Sequence, residues 1–312
     1  IGFSICPRDG SDINELLRCA DVAMYWVKEH GRNGYKIYSR EMDSGAAERL
    51  NLERSLRIAL ENDGFSLFYQ PKVDLKSGVL VGVEALLRLR KGDGQFIPPG
   101  DFIPLAEETG LIAPIGKWVL ETACRDARRM EKLAGAAIEI AVNISPRQFM
   151  SGDIVGLVRD ALALHALEPG RLELEITESL LMDERSGVAS SLSGLDALGV
   201  KISIDDFGTG YSSLGYLKRY PIGQIKIDQS FVRDMTTDKG DAALITAIIA
   251  MGHSLGMTVV AEGMETEEQL AFLSDRNCDQ GQGFHIGVPM PFDSLMRWLD
   301  ENGRWSLERN SA

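Results

Sequence analysis

The chain has 312 residues, 44% of them hydrophobic, with 33 Lys and Arg against 46 Asp and Glu and a formal net charge of −13. That is enough apolar material for one large α/β domain or two smaller ones, and the acidic balance argues against non-specific binding to DNA or RNA and to anionic membrane surfaces. If the substrate carries phosphate, positive charge has to be supplied locally, and bound divalent cations would supply it.

Residues 1–40 read as a small β-α-β unit. Strands are predicted at 1–6 and 35–38, around an amphipathic helix at 12–29 whose apolar set is Ile13, Leu16, Leu17, Ala20, Ala23, Met24 and Val27. Such a unit has too little core to stand alone and is expected to dock on the remainder. Residues 41–63 read as a linking helix with Leu50, Leu52, Leu56, Ile58 and Leu60 apolar, stopped near Asp63-Gly64. Strands at 65–71 and 79–89 follow, joined by a connection too short for a helical crossover, so the pair is predicted antiparallel.

From there strands and helices alternate. Strands are predicted at 138–145, 172–177, 201–207, 224–228, 258–263 and 278–284. Helices are predicted at 115–133, 153–166, 184–198, 212–219, 241–255, 265–276 and 292–301. This order argues for a parallel sheet, and about eight strands argue for closure into a barrel, with an open doubly wound sheet as the alternative. No internal repeat appears.

Side chains alternate faces along a strand. Val83, Ala85 and Leu87 oppose Gly82, Glu84, Leu86 and Arg88. Ile138, Ile140, Val142 and Ile144 oppose Glu139, Ala141, Asn143 and Ser145. The apolar residues of 172–177 oppose Glu173, Glu175 and Thr177. Asp205 shares a face with Ser203, Lys226 opposes Ile225 and Ile227, and Glu262 opposes Val259 and Ala261. In a barrel the apolar set packs under the helices, so Glu84, Asn143, Glu175, Asp205, Lys226 and Glu262 converge in the lumen, most near the C-terminal ends of their strands. Glu139, Glu173 and Lys201 share the parity but lie earlier, and are expected as rim charges at the other end. Buried carboxylates cost several kcal/mol each when uncompensated, and metal ions would resolve that.

The remaining chemistry points the same way. His30, His165, His253 and His285 lack zinc-site spacing, so oxygen ligands and a hard cation are expected. Cys6, Cys19, Cys124 and Cys278 form no C-x-x-C pair, which predicts a reducing compartment. No apolar run reaches the roughly 18 residues of a membrane span and no signal peptide opens the chain, so no membrane contact within it and a cytoplasmic location are expected. The chain starts at Ile1 rather than at methionine and is expected to be part of a longer protein, which other segments would be free to anchor. D-D-F-G at 205–208 also occurs in kinases, but no Gly-rich phosphate loop or H-R-D loop accompanies it.

Two resemblances follow. I-G-F-S, P-R-D-G, L-L-R-C-A-D-V-A-M-Y and K-E-H-G-R-N-G-Y resemble the C-terminal end of a GGDEF (diguanylate cyclase) domain. The G-G-D-E-F loop is absent, so the resemblance implies a remnant over 1–40 and no cyclase activity from this chain. The second resemblance rests on an ordered set: Y-Q-P at 69–71, E-A-L-L-R at 84–88, V-N-I-S at 142–145, E-I-T-E-S at 175–179, I-D-D-F-G-T-G-Y-S-S-L at 204–214, I-K-I-D at 225–228, A-E-G-M-E-T at 261–266 and G-Q-G-F at 281–284. It resembles the EAL family of cyclic di-GMP phosphodiesterases over roughly 48–303.

That resemblance implies a TIM-like (β/α)8 barrel over 64–303 with an antiparallel first strand, followed by a tail at 304–312. It implies hydrolysis of cyclic di-GMP to pGpG with two Mg²⁺ or Mn²⁺ ions, the alternative being a receptor that binds cyclic di-GMP without cutting it. Glu84, Asn143, Glu175 and Asp205 would hold one ion, and Asp205, Asp206 and Glu262 would serve the other. Lys226 would orient or deprotonate the attacking water, and Gln282 would support the water network. Gln70 and Arg88 would contact substrate, Glu178 would anchor the loop 206–213, and Glu265 would assist from the strand-to-helix turn. A homodimer is implied through the segment after D-D-F-G, where Tyr211, Leu214 and Tyr216 offer apolar contact or face the core. Many members carry Arg or Lys where this chain has Val288 before Pro289, which removes an auxiliary contact and leaves the metal set whole.

Overall fold

A computed structural model of the chain describes residues 1–29, 33–91, 94–134, 138–182, 187–209 and 214–302. Two short strands, β1 (Gly2–Phe3) and β2 (Lys36–Ile37), pair in parallel beside the helix Ile13–Glu29. The helix Glu41–Glu61 leads into ten further strands. These are β3 (Phe65–Asp74), β4 (Leu80–Arg90), β5 (Phe96–Ile97), β6 (Glu139–Asn143), β7 (Leu172–Thr177), β8 (Lys201–Phe207), β9 (Gln224–Ile227), β10 (Thr258–Ala261), β11 (Gln280–Gln282) and β12 (Met290–Pro291).

Eight of them close on themselves in the order β3, β4, β6, β7, β8, β9, β10, β11 and back to β3, which removes the open-sheet alternative. Only β3 runs against its barrel neighbours, pairing antiparallel with both β4 and β11. The short connection explains it. Ser77 donates its backbone N–H to Asp74 Oδ1 at 2.7 Å, and Gly78 takes φ +66°, so the chain reverses within a few residues. β5 and β12 add short antiparallel pairings to β4 and β3.

The core lies between the barrel's outer face and the helices. Val83, Ile140, Val142, Leu174, Ile176, Ile202, Ile204, Ile225, Ile227 and Val259 are buried there. The helix Ile112–Ala134 meets them with Ile115, Val119, Leu120, Ala123, Ala127 and Met130, the spacing of one helical face.

Among the described residues four α-helices lack a sequence expectation, the shortest being Glu178–Leu181. In Pro99–Thr109, Pro99 sits where the first N–H would be unsatisfied anyway, and Pro104 inside the helix masks the pattern. Pro146–Ser151 is capped by Ser145 with Gln148 reciprocating, and Gln229–Asp234 by Asp228. In the linking helix Leu56 is buried, whereas Leu50 and Ile58 are exposed. In the first helix Ala23 and Val27 are buried but Ile13 and Leu17 are exposed. The N-terminal unit builds its own cluster from Cys19, Ala23, Tyr38 and Met42. It meets the barrel domain at Glu108, which accepts from Tyr25 Oη and also from Arg49 Nη2 of the linking helix, the latter at 2.5 Å.

Candidate active site

The register of the barrel aligns the lumen-facing set. Gln70 is paired with Glu84, Asn143 with Glu175, Thr177 with Asp205, and Gln282 with Lys72. Strand neighbours share a face, so the parity read from sequence carries around the ring. At the centre lies Lys226, fully buried, with Nζ 2.7 Å from Glu262 Oε1, 2.8 Å from Glu175 Oε2, 3.2 Å from Asp205 Oδ1 and 3.5 Å from Glu84 Oε2. Among the described residues it is the only cation in ion-pair contact with these carboxylates.

Amides complete the ring. Asn143 Nδ2 donates to Glu84 Oε1 at 2.7 Å, and Gln282 Nε2 donates to Glu84 Oε2 at 2.6 Å and to Gln70 Oε1 at 3.0 Å. Gln70 in turn donates to the carbonyl of Gly287 at 3.1 Å. The side-chain oxygens Glu175 Oε1 and Gln282 Oε1 are buried without a partner among the described residues.

Four carboxylates around one ammonium are electrostatically unbalanced, and their proton affinities show it. Burial would push the Lys226 ammonium down, but Glu175, Glu262, Glu84 and Asp205 outweigh it and hold the group well above the ordinary lysine range. Burial and then Glu84 push Glu175 well up. Glu262 is raised to about 8, by burial first and by Asp205 and Glu84 against the pull of Lys226. Glu84 goes the other way: burial opposes it, and Lys226, Gln282 and Asn143 together stabilise its charge.

Asp206 should face away from Asp205 if the strand were regular. It does not, because the β8–β9 register shifts between Ile204 and Phe207 and Asp206 takes φ +54°, a left-handed conformation uncommon outside glycine. Carboxylate oxygens of Asp205, Asp206 and Glu262 consequently lie within 4.8 Å of one another. Burial, Asp205 and a third neighbour, Asp228, raise Asp206 to about 6. Asp228 closes the I-K-I-D motif just past the end of β9, two residues after Lys226, and that place is the sequence signal that points to it.

The supporting residues are spread more widely. Glu178 Oε2 accepts the Gly208 N–H at 3.4 Å, while 210–213, the rest of the loop assigned to it, lie outside the described residues. Arg88, near the mouth on β4, is half-buried, lies 5.4 Å over the Phe68 ring and meets no carboxylate in an ion pair among the described residues. Glu265 is exposed; its backbone N–H donates to Gln269 Oε1 at 2.7 Å where the next helix begins. Of the segment assigned to pairing, Tyr211 and the Leu214 side chain lie outside the described residues, and Tyr216 packs against the core and stacks on Tyr220.

One expectation is corrected. Glu139 and Lys201 do pair at the far rim, but Glu173 is not a rim charge: it is buried and ion-paired to Lys72 at 2.7 Å. Lys72, two residues along β3 from Gln70, lies past the strand predicted at 65–71, which in the structure continues beyond Pro71 to Asp74.

Three comparisons place this geometry. The family model described as EAL domain matches residues 53–289. The bifunctional diguanylate cyclase/cyclic di-GMP phosphodiesterase MucR of Pseudomonas aeruginosa is 48% identical over 296 residues, which is 95% of this chain and 43% of that protein. The cyclic di-GMP phosphodiesterase PdeR of Escherichia coli is 39% identical over 298 residues, 96% of this chain and 45% of the relative. The chain thus spans less than half the length of these curated relatives. Among solved structures, a MucR phosphodiesterase in complex with c-di-GMP superposes with a TM-score of 0.76 at 49% identity, covering 78% of this chain and 99% of that one.

Proposed function

The chain belongs to the EAL domain family, and from that premise we propose that it is a phosphodiesterase opening cyclic di-GMP to the linear dinucleotide pGpG with two Mg²⁺ or Mn²⁺ ions. One observation carries the reading: Glu84, Asn143, Glu175, Asp205, Asp206, Glu262 and Gln282 meet around Lys226 at one end of one lumen.

The donor set fits hard divalent cations. The atoms that the carboxylates and Asn143 leave for an ion are oxygens, Glu175 Oε1 is buried without a hydrogen-bond partner among the described residues, and the Asp205, Asp206 and Glu262 oxygens are close enough to share an ion. Glu84, Asn143, Glu175 and Asp205 would hold one ion, and Asp205, Asp206 and Glu262 the other. Such ions would neutralise the phosphodiester and activate the attacking water.

The chain's own residues do the rest. Asn143 spends its amide N–H on Glu84, so its carbonyl is the atom left to act as donor to an ion. Lys226, held as an ammonium, donates to water and offsets the carboxylates. Arg88, a guanidinium with no carboxylate ion pair among the described residues, is placed to receive a substrate phosphate or base edge, with Gln70 on the neighbouring strand opposite Glu84. Glu178 steadies the backbone of Gly208.

The test is chromatographic product analysis of the purified chain with cyclic di-GMP in Mg²⁺, Mn²⁺ or EDTA. Metal-dependent appearance of pGpG is the expected result. Tight binding with no product over hours would replace the enzyme with a receptor.

A further inference from the structure

Below the mouth, the lumen holds a second polar layer that the chemistry above does not use. Lys72 Nζ donates to Glu173 Oε2 at 2.7 Å with both residues 1% exposed, and Gln224 Nε2 donates to the other oxygen, Glu173 Oε1. Each member shares a strand and a face with a mouth residue two positions away: Lys72 with Gln70 on β3, Glu173 with Glu175 on β7, Gln224 with Lys226 on β9.

Barrels of this kind usually fill the lumen with bulky branched apolar side chains. Exchanging a buried ion pair for apolar residues of similar volume is often neutral or stabilising. Stability therefore gives no reason for this pair, and its location does. Glu173 lies deeper than Glu175 on a strand running toward the mouth, and its charge acts within the buried lumen on both Lys226 and Glu175.

We propose that Lys72 and Glu173 are positioning residues for Lys226. Glu173 ties down Gln224, and with it the part of β9 that aims Lys226. It also sets a negative charge on the deep side of the ammonium, away from the mouth. Lys72 holds the Glu173 carboxylate in one orientation, so that it does not itself close on Lys226. With divalent cations among the mouth carboxylates, Lys226 is repelled inward, and the Glu173 charge lies on the side toward which it is repelled. Without that counter-charge Lys226 stays among the carboxylates and competes with the ions for them.

The kinetic arm of the test rests on the phosphodiesterase reading; the binding arm does not. Lys72→Met/Glu173→Leu removes both charge and hydrogen bond, and Lys72→Met/Glu173→Gln keeps an acceptor for Gln224 while removing the charge. Both are expected to melt at or above the wild-type temperature. In the leucine variant kcat on cyclic di-GMP should fall about tenfold or more with KM within about twofold, and the Mn²⁺ dissociation constant, by calorimetry on metal-free protein, should rise about tenfold. The glutamine variant should recover part of both losses. Two results would overturn the proposal: kcat and Mn²⁺ affinity both within twofold of wild type, or losses in both that track a fall in melting temperature. If the wild-type chain does not turn over cyclic di-GMP, the phosphodiesterase reading fails and the Mn²⁺ titration decides this proposal by itself.

Discussion

Each member of the deep layer shares its strand with a residue of the mouth, and the two layers treat charge in opposite ways. In the deep layer Lys72 and Glu173 match one to one, and Gln224 takes the remaining oxygen. At the mouth Glu84, Glu175, Asp205 and Glu262 crowd a single ammonium. A charge that the chain itself neutralises asks nothing of solution, whereas a surplus of buried carboxylate is tolerated only where a ligand completes it. Moving two residues along a strand separates the two regimes.

The sharpest way to break the comparison is to remove Lys226, among the described residues the one cation ion-paired with the mouth carboxylates. Lys226→Met in EDTA should cost about 3–5 kcal/mol in urea denaturation, the usual penalty for stripping a buried charge of its partner, and added Mg²⁺ should return much of it. An equal loss with and without Mg²⁺ would mean that the mouth does not hold the ions.

Proton linkage gives the next effect. Asp206 at about 6, Glu262 at about 8 and the raised Glu175 all keep their protons in the fold at pH values where the unfolded chain has lost them. Above the ordinary carboxylate range, where the lowered Glu84 and Glu173 are ionised in both states, the native state therefore binds more protons than the unfolded one, and stability falls as pH rises toward 8. A melting series in EDTA should show this decline, and saturating Mg²⁺ should flatten it. A rise in stability over that interval would contradict the charge surplus.

Smaller effects sharpen the boundary of the site. A Cβ on Gly283 would lie 2.2 Å from the backbone N and O of Met264, so Gly283→Ala should cost about 1–3 kcal/mol and lower kcat by shifting Gln282. Thr266→Ala loses the capping box with Gln269 and should cost about 1 kcal/mol, seen as a lowered melting temperature.

The sequence made some of this legible and hid the rest for physical reasons. Strand parity placed Glu84, Asn143, Glu175, Asp205 and Lys226 on one face, because a period of two survives any barrel curvature. It could not place Asp206, whose aim depends on a left-handed backbone and a register shift. The helix Pro99–Thr109 hid behind its own prolines. The role of Glu173 was misread because depth in a lumen depends on the partner across it, here Lys72 on the reversed strand. Closure, too, was inferred from a strand count, and only the β3–β4 and β3–β11 pairings distinguish it from an open sheet.

The reversed strand has one more consequence. In a barrel whose strands all run the same way, the chain enters the first strand at the end remote from the chemistry. Here β3 starts at the mouth, with Phe65 opposite Leu89 and the Arg90 N–H bonded to the Gly64 carbonyl at 3.0 Å. The 21-residue helix ahead of it, about 31 Å long at 1.5 Å per residue, therefore delivers the polypeptide to the mouth rather than to the floor. The helix thus ends within a few residues of the strands that carry Gln70 and Glu84.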